Sequence, residues 1–151
     1  MAVQKKEFGA LASGEQAFLY TITNQKGESV SLTDYGASVV SLLVKDREGA
    51  LRDIVLGCDN AAAYEQQTAC LGGVPGRHAN RIAAGRFVLN GKTYKLEQNN
   101  GENHLHGGSH GFHRRLWQGY ADGEDSVVFS RWSPDGEEGY PGNLVVSVRY
   151  T

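Results

Sequence analysis

All five histidines of this chain lie in residues 72–117, GGVPGRHANRIAAGRFVLNGKTYKLEQNNGENHLHGGSHGFHRRLW, together with Arg77, Arg81, Arg86 and the Arg114–Arg115 pair. Glycines and asparagines separate them, and two short apolar runs cross the middle. Arg supplies fixed donors, His donates or accepts, and Asn does both. Set on Gly-rich turns between short strands, such side chains suit a surface that grips many hydroxyl groups. A carbohydrate is the natural ligand for it.

The elements that must position these residues read as short strands. Ala17 to Thr23, Val30 to Thr33 and Ala37 to Val44 are apolar or β-branched runs parted by turns at Asn24–Gly27 and Asp34–Gly36. Asp53 to Gly57 is a further apolar run, and Asn60 to Gln67 is the one plausible helical turn. Arg86 to Leu89 and Lys92 to Leu96 flank Asn90–Gly91, a pair that tolerates the positive φ of a two-residue type I′ turn, so a hairpin is expected. Leu116 to Tyr120, Asp125 to Trp132 and Leu144 to Tyr150 complete the set. Strand and turn recurring about every ten residues predicts an all-β sandwich or barrel. Trp117 and Trp132 fall in strand patterns and are expected in the core.

Composition narrows the function classes. A chain of 151 residues is one domain by length and can bury a real core. Its formal net charge of −2 predicts no attraction to nucleic acid or to an anionic membrane. Twenty glycines against three prolines favour turns over helices. No segment is apolar enough for a signal peptide or a membrane span. Cys58 and Cys70 lack metal-ligand spacing and read as reduced thiols, so a cytoplasmic location is expected. A zinc site built from His104, His106, His110 and His113 would have no Cys or well-spaced carboxylate to join it, and no metal is expected.

Three segments, GRHANRIAAGRF, LNGKTYKLEQNNG and NHLHGGSHGFHRRLW, resemble the galactose mutarotase (aldose 1-epimerase) family in order and separation. NQKGESVSLTDYGASVVSLLVKDREG with DIVLG, and SPDGEEGYPGNLVVSVRYT, extend the resemblance over essentially all of the chain. It implies an antiparallel β-sandwich of the mutarotase type. The last of these segments resembles the middle of a family member, so residues 1–151 are expected to be the N-terminal half of one sandwich domain, incomplete without its C-terminal half.

The resemblance also implies a chemistry. Mutarotation interconverts the α and β anomers of a free aldose such as galactose or glucose. A base takes the proton of the C1 hydroxyl while an acid protonates the ring oxygen, and the ring opens, rotates and recloses. A positioned acid–base pair suffices, and no cofactor is expected. The family's sugar contacts in the NRI and LHGG motifs match Asn80, Arg81 and His106, which become the candidate substrate-binding residues. The proton-donating His, the Glu base and an Asp that holds sugar hydroxyls come from the family's second half. No certain catalytic residue is therefore assigned in this half, and a non-catalytic carbohydrate-binding β-sandwich module is the alternative.

Individual residues carry plainer readings beside these. Arg77 is expected to tie loop carbonyls, and Arg81 alone could pair with an acid such as Glu137. His104 is expected to be solvated, His78 to pack by its ring, and His110 and His113 to sit in loops. Glu137–Glu138 reads as a turn, since neighbouring side chains of a strand point to opposite faces.

Overall fold

Side-chain carboxylates and amides, more than glycines alone, bend the opening of this chain into a meander. The structure is a computed structural model that describes residues 3–151. Strands β1 (Gln4–Ala10), β2 (Gln16–Thr23), β3 (Ser29–Thr33), β4 (Ser38–Lys45) and β5 (Leu51–Asp53) form a five-stranded antiparallel sheet in chain order. Between β2 and β3, Asn24 Oδ1 accepts the N–H groups of Lys26 and Glu28. Between β4 and β5, Asp46 Oδ1 does the same for Glu48 and Ala50. Such short polar side chains mimic a backbone turn and set the register on either side.

After α1 (Ala61–Gln66), capped by Asn60 Oδ1 on the Ala63 N–H, the chain makes two small ribbons. One pairs β6 (Arg81–Ile82) with the later β9 (His104–Leu105). The other is the expected hairpin of β7 (Arg86–Leu89) and β8 (Lys92–Lys95). Its turn residues Asn90 and Gly91 have φ of 51° and 75°, as a type I′ turn requires. Strands β10 (Gln118–Ala121), β11 (Val127–Ser133) and β12 (Leu144–Tyr150) form a three-stranded antiparallel sheet.

The two larger sheets share a core. Tyr20, Ile22 and Leu32 of the first sheet pack with Val127 and Phe129 of the second, and Phe112 and Trp117 join them. Tyr20 meets Phe129 edge-to-face at 5.4 Å, and its hydroxyl donates to the Gly119 carbonyl. A smaller cluster of Phe8, Leu11, Ala17, Leu19 and Tyr35 closes against Ala61 and Tyr64 of α1. The all-β, sandwich-like architecture is as expected.

Three local readings differ. Trp132 is 60% exposed, not in the core, because it lies three residues beyond Phe129 and so points away from the buried face. The DIVLG run is not a strand: pairing ends at Asp53, and Ile54 and Leu56 are 61% and 80% exposed. Strand β1 was not expected at all, since Gln4 to Glu7 are polar and exposed along the edge of the sheet.

Candidate functional site

Two residue pairs are enough to bring the NRI and LHGG motifs side by side: Arg81 faces Leu105 and Ile82 faces His104 across the β6–β9 ribbon. Asn99 acts as a third strand in miniature. Its Oδ1 accepts the Leu105 N–H at 2.7 Å, and its Nδ2 donates to the Leu105 carbonyl at 2.9 Å.

Just outside this ribbon, Asn80 and His106 both adopt left-handed backbone, with φ of 65° and 51°. That conformation costs a non-glycine residue roughly 1–2 kcal/mol, and here it is held by reciprocal bonds. The His106 N–H donates to the Asn80 carbonyl at 3.1 Å, and the Asn80 N–H donates to His106 Nδ1 at 3.0 Å. Nδ1 is therefore an acceptor, and the neutral ring carries its proton on Nε2. Arg81 Nε donates to Asn100 Oδ1 at 2.9 Å, and Nη1 makes a long bond of 3.4 Å to Asn80 Oδ1. The structure thus unites Asn80, Arg81 and His106, with Asn80 touching both of the others.

The loop that follows His106 is gripped from below by two carboxylates. Glu97 accepts the Ser109 N–H at 2.8 Å and its hydroxyl at 2.6 Å, and these bonds hold the Glu97 carboxyl below its ordinary pKa. Glu138 accepts the His110 N–H at 3.4 Å. Gly107, at φ 86°, passes so close to Gly76 that a Cβ would overlap the Gly76 carbonyl oxygen.

Deeper still, Arg131 binds Glu137 through two bonds of 2.9 and 2.7 Å, and Ser133 Oγ also donates to Glu137. Glu137 is thereby engaged with Arg131 and does not pair with Arg81. Arg77 is structural as expected: its guanidinium donates to the carbonyls of Ser133, Pro134 and Pro141 and to Ser133 Oγ.

Beside His106 opens a cleft of about 440 Å³ lined by Asn99, Asn100, His106, His113, Gln67 and Arg114, among others. The lining is rich in donors, and no carboxylate belongs to it among the described residues. Arg114 is fixed by bonds to the carbonyls of Glu65 and Gln67 at the end of α1. His113 is not simply a loop residue: it is buried, and its Nδ1 has no hydrogen-bond partner among the described residues. Burial above all, then the positive charge of Arg114, pushes its pKa down to about 4, so the ring is neutral.

His104 overturns the solvated reading. It is fully buried, with Nδ1 at 2.7 Å from the Glu97 carbonyl and Nε2 at 2.8 Å from the Tyr140 hydroxyl. A carbonyl can only accept, so Nδ1 donates and, in the neutral ring, Nε2 accepts from Tyr140. Desolvation, then the nearby Glu138, pushes the Tyr140 hydroxyl up to about 12. His78 is exposed, at a second groove lined also by Arg81, Ile82, Phe87, Leu89, Tyr140 and Pro141, so Arg81 and His106 border different hollows. His110 is exposed.

Among the described residues, no three His, Cys, Asp or Glu side chains gather as a metal site would need. The contributions of Asn99, Asn100, Glu97 and Glu138 were not foreseen. The signal was present in EQNNG, where adjacent asparagines before a glycine mark a turn with side-chain hydrogen bonding.

Comparison with known proteins adds an independent line. The sequence pattern of the aldose 1-epimerase family matches residues 19–151. The chain is 52% identical to the galactose mutarotase of Bos taurus over 122 residues, covering 81% of this chain and 35% of that protein. It is 44% identical to the galactose mutarotase of Sus scrofa, covering 100% of this chain and 44% of that one. The crystal structure of a GalM/aldose epimerase homologue from C. elegans superposes with a TM-score of 0.85 at 34% identity, covering 89% of this chain and 42% of that chain. The chain therefore spans less than half the length of each of these three proteins.

Proposed function

This chain belongs to the aldose 1-epimerase family, and from that premise we propose that it serves to interconvert the α and β anomers of a free hexose such as galactose or glucose. In this reading residues 1–151 supply the N-terminal half of the family's sandwich and one side of the sugar site. Arg81, whose Nη2 has no hydrogen-bond partner among the described residues, donates to the ring oxygen or a neighbouring hydroxyl. His106 donates through Nε2–H. Asn80 sets the distance between them, since it bonds to both.

The observation that supports this reading is the coupling of Arg81 and His106 through Asn80, with His106 lining a polar cleft without a carboxylate and Arg81 lining the adjoining groove. Such a surface holds a neutral polyol, and it offers no carboxylate to take the C1 proton. The base is assigned to the part of the family length that this chain does not span. The proposed setting is the cytoplasm, with a small-molecule sugar as partner. Cys58 and Cys70 are both free thiols, which suits a reducing compartment.

Polarimetry tests the proposal. Residues 19–151 would replace the matching segment of the Sus scrofa galactose mutarotase, and the rotation of freshly dissolved α-D-galactose would be followed. The hybrid should accelerate mutarotation. Arg81→Ala or His106→Ala should each lower that acceleration about 10- to 100-fold, the worth of a hydrogen bond from a charged or well-oriented donor. Unchanged rates in both variants would overturn the assignment.

A further inference from the structure

Asn100 stands between the two halves of the cluster, and nothing above uses its amide nitrogen. Its backbone is fixed by a tight turn: the Asn100 and Asn103 N–H groups donate to each other's carbonyls at 3.0 and 3.1 Å across Gly101–Glu102. Asn103 Oδ1 accepts the Ala84 N–H at 3.3 Å, which ties that turn to the segment following β6. On this platform the Asn100 side chain receives Arg81 Nε at 2.9 Å.

A guanidinium can only donate, so the atom facing Arg81 must be the carboxamide oxygen. The amide NH2 then points the other way by covalent geometry. It has no hydrogen-bond partner among the described residues, and Asn100 lines the same cleft as His106. Two N–H donors are thereby aimed by the very bond that orients Arg81.

We propose that Asn100 is a further substrate-binding residue: its carboxamide oxygen positions Arg81, and its NH2 donates to a hydroxyl oxygen of the hexose. This rests on the hexose reading of the site. His106 Nε2–H and the Asn100 amide then present donors to one ligand in this cleft, and Arg81, which borders the neighbouring groove, is held at its margin by Asn100. A sugar face that presents oxygen lone pairs is preferred over one that presents C–H.

The test is galactose titration of the ¹⁵N-labelled chain, following the Arg81 Nε–H and the Asn100 side-chain NH2 resonances. The NH2 pair should shift with the same midpoint as Arg81. Asn100→Ala should speed exchange of the Arg81 Nε–H and weaken galactose about 10-fold. Asn100→Asp keeps the oxygen acceptor, so it should preserve the Arg81 signal and still lose affinity.

An NH2 pair that stays still while Arg81 and His106 respond would overturn the donor role alone. If galactose moves none of the three, the hexose reading fails and the donor role falls with it. The exchange of Arg81 Nε–H in Asn100→Ala still decides the positioning role, because that readout needs no ligand. No change there overturns it.

Discussion

Arg81 shows how an exposed arginine on a two-residue strand becomes an oriented donor. One nitrogen is spent on Asn100 and another on Asn80, which leaves Nη2 directed by its neighbours. Two buried titratable groups give the residue scale its sharpest prediction. Asp34 is buried with Oδ1 on the Phe18 N–H, and desolvation pushes its pKa up to about 6. A raised carboxyl pKa contributes stability at low pH that is lost as pH climbs through about 6. His113, depressed to about 4, has the opposite sign: its contribution is whole above the ordinary histidine range and is lost on acidification. The two slopes oppose each other between about pH 5 and 6, where stability should be nearly flat.

Asp34→Asn keeps the acceptor and removes the charge. Urea unfolding should therefore find it more stable than the parent at about pH 7.5, by about 1–2 kcal/mol, with the gain shrinking toward about pH 5. An equal gain at both pH values would refute the Asp34 assignment. At this scale the sequence was only partly legible. Asn80, Arg81 and His106 were identified through motif resemblance. The burial of His104 was not, because its environment depends on Tyr140, which lies 36 residues away.

Among the elements, the decisive one is the β6–β9 ribbon, too short to leave any periodicity in the sequence. The β7–β8 hairpin was legible because Asn90–Gly91 imposes its turn locally. Glycine substitutions separate the two cases. A Cβ on Gly91 meets nothing within 4 Å, so Gly91→Ala should cost only the positive-φ penalty of about 1 kcal/mol. Gly107→Ala adds a steric overlap with the Gly76 carbonyl, and should cost about 3 kcal/mol or more while disturbing the His106 backbone. Chemical denaturation of both variants checks this, and equal losses would show that the Gly76–Gly107 approach is looser than described.

At the level of the whole molecule, spacing alone predicted an all-β sandwich or barrel of short strands, the resemblance chose the sandwich, and the strands form antiparallel sheets. What spacing could not assign was which side of β11 faces the core. Trp132 pairs across the ladder with Val145, and both are exposed. Among the described residues β12 pairs only with β11, so its other edge offers unsatisfied backbone groups next to that apolar pair. Val145→Lys should reduce concentration-dependent association of the chain without changing its circular dichroism. Sedimentation velocity would show this as a loss of faster species, and an unchanged distribution would show that this edge does not mediate contacts.

The function proposed for this chain requires that the Asn80–Arg81–His106 cluster hold a hexose. The most direct measurement is a saturation-transfer NMR titration of galactose onto the chain and onto its Arg81→Ala and His106→Ala variants. Saturable transfer to the sugar, weakened about 10- to 100-fold in each variant, is the predicted result. Transfer that is absent from the parent chain, or undiminished in both variants, would contradict it.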